Sequence, residues 1–157
     1  GHIEDTIDAV VLGYYFGKGR RNALGIGAFL IGIYNPSLDC FETIAKVGTG
    51  LKDNDWIDLK KRCDENILLQ SPKNVNCSKD LIPDVWVYPK IVVLIKADEI
   101  TKSPVHSAGA THSTLGYALR FPRFLGYRND KGPQESTTIS EVLQMYEDQY
   151  KNILKVS

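Results

Sequence analysis

Between Asp8 and Tyr34 the chain alternates strand-forming and chain-breaking residues in an order that few folds can accept. Asp8–Phe16 (DAVVLGYYF) is dense in β-branched and aromatic side chains, and so is Ile26–Tyr34 (IGAFLIGIY). Such side chains pack well on a pleated, half-buried surface and disfavour other backbone states. The residues between them, GKGRRNALG, begin and end with glycine and carry Lys18, Arg20 and Arg21. The pattern predicts two neighbouring strands joined by a basic turn, with bends or bulges at Gly27 and Gly32.

The same reading extends along the chain. Asn35-Pro36-Ser37 predicts a turn and Phe41–Val47 a third strand. A helix is expected from an N-cap at Asp53, with Trp56, Leu59, Lys60, Cys63 and Ile67 on one face at 3.6-residue spacing. Asn66–Pro83 is polar and irregular. Val85–Tyr88 and Ile91–Lys96 read as strands parted by Pro89, and Gly116–Phe121 as another. Thr138-Ile139-Ser140-Glu141 is a capping-box pattern. It opens a helix whose apolar face carries Ile139, Val142, Leu143, Tyr146, Tyr150, Ile153 and Leu154. Five or six short strands, one inserted helix and one terminal helix in 157 residues predict a single mainly β domain, a small barrel of OB-like or SH3-like kind. Gly1-His2 reads as a tag remnant, which leaves 3–157 as the domain.

Composition narrows the function. Lys and Arg number 19 against 19 Asp and Glu, so general adhesion to nucleic acid is not expected, while a local basic stripe is. No apolar run approaches the ~20 residues of a membrane helix. Cys40, Cys63 and Cys77 fit neither a disulfide framework nor a zinc pattern, and His106 and His112 have no partner at metal-ligand spacing. A reduced, intracellular, metal-free protein is expected. Gly13–Gly19 imitates a phosphate-binding loop but has three residues between its first glycines and Gly19 where magnesium needs Ser or Thr. Lys96-Ala97-Asp98-Glu99 lacks the glycine of a covalent nucleotidyl-transfer signature and reads as a strand end.

Positive charge and flat rings gather in RFPRFLGYRNDK, where Arg120, Arg123, Arg128 and Lys131 alternate with Phe121, Phe124 and Tyr127. Guanidinium forks match phosphate oxygens, and Pro122 keeps the stretch extended. An extended stretch of cations and rings suits a nucleic-acid backbone and its groove edges. Core seats for Phe121 and Phe124 are equally consistent with composition.

The order DTIDAVVLG, GKGRR, FETIAKVGTGLKD, PDVWVYP, ADEITKSP, LRFPRF and RNDKGPQESTT, running from Asp5 over nearly the whole chain, resembles the C-terminal OB domain of ATP-dependent DNA ligases. The likeness is greatest to the archaeal and replicative eukaryotic-type branch. It implies a five-stranded OB barrel and an upstream nucleotidyltransferase domain whose lysine is adenylated by ATP with Mg2+. AMP then passes to the 5′-phosphate of a nick, and the 3′-hydroxyl displaces it. The resemblance assigns Arg128, Asp130 and Lys131 to the catalytic set that orients the β,γ-phosphates, with Asp130 holding the cations. It assigns Phe121 to the minor groove beside the nick, with Arg120 and Arg123 alongside, and matches Lys18, Arg20 and Arg21 to the family's basic loop, which meets either DNA phosphates or a carboxylate of another domain. The chain alone is not expected to ligate, and no metal ligand is expected in it. Implied partners are nicked double-stranded DNA and the chain's own upstream domain, with a sliding clamp left open and no membrane. The implied location is intracellular and DNA-associated, nucleoid or nucleus according to source. An RNA-capping guanylyltransferase OB domain, which shares Arg-x-Asp-Lys, and a free-standing nucleic-acid-binding OB module are the alternatives.

Overall fold

The computed structural model describes residues 2–156, the side chains of 152–156 excepted. Gly1 of the expected tag remnant lies outside the described residues, and the side chains of Ile153 and Leu154 outside the described side chains. The strands are β1 (Ile7–Tyr15), β2 (Ala28–Asn35), β3 (Cys40–Val47), β4 (Ile67–Leu68), β5 (Val75–Asn76), β6 (Val85–Val87), β7 (Val92–Lys96), β8 (Glu99–Ser103), β9 (Gly116–Arg120) and β10 (Arg123–Tyr127). Helix α1 (Asp53–Asp64) follows β3, and α2 (Ile139–Val156) closes the chain.

The first two predicted strands pair antiparallel, as their spacing required, and β3 extends the sheet on β2. The full sheet order is β10-β7-β1-β2-β3-β5, with β4 and β6 joined at β1, while β8 and β9 form a separate hairpin. This is a mainly β architecture consistent with an OB-fold, built from more and shorter strands than five. Register shifts at Val11/Gly13, Ile31/Gly32 and Phe124/Gly126 supply the extra residues that coil a sheet. Gly32 bears out its predicted bulge: a Cβ there would stand 2.7 Å from Leu12 Cδ1 and 2.9 Å from the Glu42 carbonyl.

Strand β1 is buried on both faces, which is why its sequence from Ala9 to Tyr14 is an apolar run. On one side lies the main core, where Phe29 meets Trp56 and Phe124 edge-on at 6.1 and 6.2 Å. On the other, Val10, Leu12, Leu30, Phe41 and Val92 form a smaller cluster.

Helix α1 presents Trp56, Leu59 and Cys63 to the core. Two boundaries differ from expectation. Lys52, not Asp53, is the N-cap, because the Asp55 carboxylate accepts the Lys52 amide at 2.9 Å. Ile67 leaves the helical face for β4 and is exposed, since the helix stops at Asp64. The capping box of α2 forms as read: Glu141 accepts from the Thr138 amide at 3.1 Å, and Thr138 Oγ1 accepts from the Glu141 amide at 3.3 Å. Buried Gln149 docks α2 on β8, its amide donating to the Ile100 carbonyl at 3.0 Å and accepting the Ile100 amide.

Strands β8 and β10 were not foreseen. Strand β8 is short and mostly polar, β10 is short and interrupted by Gly126, and both exist because neighbours offer a ladder rather than because their residues demand one.

Candidate functional site

The RFPRF segment is a corner between the two sheets. Strand β9 pairs with β8, β10 pairs with β7, and Phe121-Pro122 makes the turn between them. The corner is braced from behind by the segment after β3: Thr49 Oγ1 donates to the Pro122 carbonyl at 2.9 Å, and the Phe124 amide donates to the Thr49 carbonyl at 3.0 Å. Phe124 is a core residue, 7% exposed, edge-on to Phe29 and Tyr127. Phe121 is the opposite case, 63% exposed with φ at +54°. A bulky residue in left-handed backbone is strained, and the following proline makes ordinary helical backbone costly as well. The ring is thus held outward, with the Arg120 guanidinium 5.1 Å from its centre. Arg120 pairs with Glu99 at 2.8 Å, and Arg123 with Asp98 at 3.0 Å. Both arginines remain substantially exposed beyond these pairs.

Because Phe121 is 63% exposed, Phe121→Gly removes mainly exposed surface and relaxes the backbone. Urea unfolding is expected to show no loss, or a gain of up to about 1 kcal/mol. A loss above about 2 kcal/mol would mean the ring is seated.

The basic turn lies beside the same brace. Residues Gly19–Leu24 wind into one 3-10 turn. Arg21 is committed to that turn, its Nη1 donating to the Gly27 carbonyl at 2.7 Å and its guanidinium lying 4.8 Å over the Trp56 ring. Lys18 and Arg20 are exposed. A Cβ on Gly48 would lie 3.6 Å from Arg21 Nη1, so the loop Gly48–Gly50 touches both the basic turn and the aromatic corner.

The Arg-Asn-Asp-Lys turn stands at the far end of β10, about 13 Å of strand away. Its cations meet an acid 120 residues upstream. Arg128 Nη1 donates to the Asp8 carboxylate at 3.0 and 3.3 Å, and Lys131 Nζ at 2.7 Å. Arg128 Nε and Nη2 grip Asp130 at 3.1 and 3.0 Å. That hydrogen bonding with Asp130, with the attraction of Asp8 added, raises the Arg128 pKa further, and Arg128 in turn lowers that of Asp130. So Arg128 and Asp130 meet directly, while Lys131 joins Arg128 through Asp8 rather than through Asp130.

The second acid, Asp8, was quoted within a motif but given no role. Its signal was present: one carboxylate inside a strand whose other residues through Tyr14 are all apolar or glycine and all buried. Arg62 and Lys90 were also missed. With Arg128 and Lys131 they line an open depression of about 250 Å3. Arg62 comes from the last turn of α1, stacked 3.7 Å from the Tyr127 ring centre and paired with Asp58 at 2.9 Å. Only the tertiary structure brings α1, the residues before β7 and the end of β10 together.

None of the three cysteines is an activated nucleophile. Burial raises all three thiols, Cys63 to about 12. Burial also pulls His106 down to about 4, and its neutral ring rests 3.2 Å from Thr43 Oγ1. Among the described residues no three His, Cys, Asp or Glu side chains gather as a metal site. The donor set at the depression fits a phosphate anion rather than a metal ion.

The structure is thus a mainly β, OB-like domain with a basic depression at one end of β10 and an exposed ring at the other. Residues 22–131 match the family described as ATP dependent DNA ligase C terminal region, so the chain belongs to that family. It is 50% identical over 152 residues to a probable DNA ligase of Dictyoglomus turgidum, covering 96% of this chain and 26% of that protein. To a DNA ligase of Pyrobaculum arsenaticum it is 44% identical over 151 residues, covering 94% of this chain and 25% of that protein. The chain thus spans about a quarter of the length of these curated relatives. Among solved structures it resembles the ligase domain of Mycobacterium tuberculosis LigD, with TM-score 0.63 and 26% identity over 85% of this chain and 38% of that one. A mycobacterial DNA ligase D complexed with ATP and MES gives TM-score 0.59 and 25% identity over 85% of this chain and 37% of that one. Family membership decides for the ligase reading over the capping-enzyme domain that shares Arg-x-Asp-Lys.

Proposed function

We propose that this domain serves an ATP-dependent DNA ligase twice, first by orienting the β,γ-phosphates of ATP and then by closing over nicked duplex. The observation that carries the first role is the Arg128–Lys131 turn at the rim of the cationic depression. Both side chains are about 30% exposed, so each is held on one side and open on the other. When a lysine amine of an upstream domain attacks the α-phosphorus, the bond to pyrophosphate breaks and negative charge grows on the leaving group. Fixed cations at that position stabilise the transition state more than the ground state. Asp130 keeps Arg128 aimed and transfers no proton.

The second role rests on Phe121. An aromatic ring held outward by its own backbone, flanked by Arg120 and Arg123, suits insertion against a minor groove while the cations meet phosphates. Lys18 and Arg20, exposed beside the same loop, extend that surface. Arg21 contributes by shaping the turn. Magnesium, which accompanies ATP in this reading, has no ligand set among the described residues and is assigned to the upstream domain. A DNA-associated location follows, and a sliding clamp remains an open partner.

The test uses the longer protein that carries the upstream domain. Arg128→Ala and Lys131→Ala are each expected to slow self-adenylation about tenfold or more, while sealing of a pre-adenylated nick falls far less. Phe121→Ala should do the reverse. Equal loss in both assays for Arg128 and Lys131 would sink the assignment. Tighter binding to single strands than to nicked duplex would favour a free-standing binding module.

A further inference from the structure

A carboxylate buried in strand β1 needs partners, because a desolvated, unpaired charge is costly. Asp8, 9% exposed, finds them in the two cations that the proposed function assigns to ATP phosphates. Its backbone is fixed independently: the Asp8 amide donates to Thr137 Oγ1 at 2.9 Å, and the Thr137 amide donates to the Asp8 carbonyl at 2.8 Å. The acid is therefore anchored, and the cations come to it on flexible stems. An ammonium has three donors and a guanidinium five. Lys131 gives one of its three to Asp8, and Arg128 divides its own between Asp8 and Asp130. Asp8, Asp130, Arg128 and Lys131 together carry no net formal charge.

We propose that Asp8 is an exchangeable internal counter-ion that occupies Arg128 and Lys131 until a polyphosphate enters the depression, and so sets its affinity for that anion. The proposal rests on the phosphate-binding reading above and adds a positioning residue to it. An incoming polyphosphate offers many oxygens and several negative charges to the same donors, with Arg62 and Lys90 in the same lining to share them. It must compete with Asp8 and is repelled by it across a short distance. The device keeps two partly buried cations satisfied when the depression holds no anion. Affinity is lost in exchange.

Asp8→Asn keeps the volume and one acceptor while removing the charge, and Asp130 still holds Arg128. Calorimetric titration of this chain with inorganic tripolyphosphate is expected to show about tenfold tighter binding for Asp8→Asn than for the unmodified chain. The gain should shrink in the Lys131→Ala background, because Asp8 acts through that ammonium. Equal or weaker binding by a folded Asp8→Asn would overturn the counter-ion role, while loss of binding on Lys131→Ala alone would leave the phosphate reading standing. If Lys131→Ala changes nothing and Asp8→Asn changes nothing, both readings fail together. Should Asp8→Asn not fold, carboxyl-13C-labelled aspartate in the unmodified chain answers the same question. The Asp8 carboxyl resonance should move as tripolyphosphate saturates, and a resonance that stays in place overturns the proposal.

Discussion

Trp56→Ala is expected to lower stability by about 3–5 kcal/mol, the range for emptying a large aromatic site in a core. The ring is 1% exposed and is the largest of the fully buried side chains. It meets Phe29 edge-on at 6.1 Å and carries the Arg21 guanidinium at 4.8 Å. Collapse cannot fill the space easily, because α1 is tied to β1 by the Tyr14 hydroxyl donating to Asp64 at 2.7 Å. Two readouts separate the parts of the loss. The shift in urea midpoint reports the total, and faster amide exchange at Gly25 and Gly27 reports the loosened basic turn. Trp56→Phe keeps an apolar ring and should cost roughly half as much. A total loss below about 1 kcal/mol for Trp56→Ala would mean that α1 is not seated in the core as described.

Gly116→Ala is the second large effect, and it is purely steric. A Cβ on Gly116 would lie 1.9 Å from the His106 carbonyl oxygen and 3.3 Å from that of Ala108. Backbone, not a flexible side-chain tip, stands in the way. The segment that would have to retreat holds the hairpin of β8 and β9 against β3. Ser107 Oγ accepts the Thr43 amide at 2.9 Å and donates to the Asn76 carbonyl at 2.6 Å. The Ala108 amide donates to the Thr43 carbonyl at 2.9 Å, and the Gly109 amide to Glu42 at 3.1 Å. Moving this segment strands several buried polar groups at once. The expected cost is about 3 kcal/mol, at the upper end for overpacking. Thermal unfolding with intact far-ultraviolet dichroism at low temperature would read it. A variant as stable as the parent would show that the segment closes on β3 more loosely than these contacts require.

Both effects bear on function through placement. Helix α1 delivers Arg62 to the cationic depression, so whatever loosens Trp56 also loosens one wall of that site. The segment stitched by Gly116 steadies the hairpin that ends at Arg120, one residue before the exposed ring.

Strands β1, β2 and β3 were legible because their side chains leave the backbone little choice and their glycines mark the turns. The capping box of α2 was legible for the same local reason. Strands β8 and β10 were not, because Glu99–Ser103 and Arg123–Tyr127 owe their extended state to partners distant in sequence. The exposure of Phe121 and the burial of Phe124, three residues apart in one motif, could not be told apart from composition. Only the direction each residue faces at the corner separates them.

Local sequence determined the mainly β character, the two helices and the ordered motifs by which the chain belongs to its family, since propensity, turn chemistry and motif order are all carried by neighbouring residues. Tertiary structure alone decided which charges meet. Asp8 joins Arg128 and Lys131 because β10 reaches β1 across β7, and Arg62 joins them because α1 ends beside Tyr127. Coulombic and hydrogen-bonding contacts act over a few ångströms of space, and separations of 120 residues along the chain carry no trace of them.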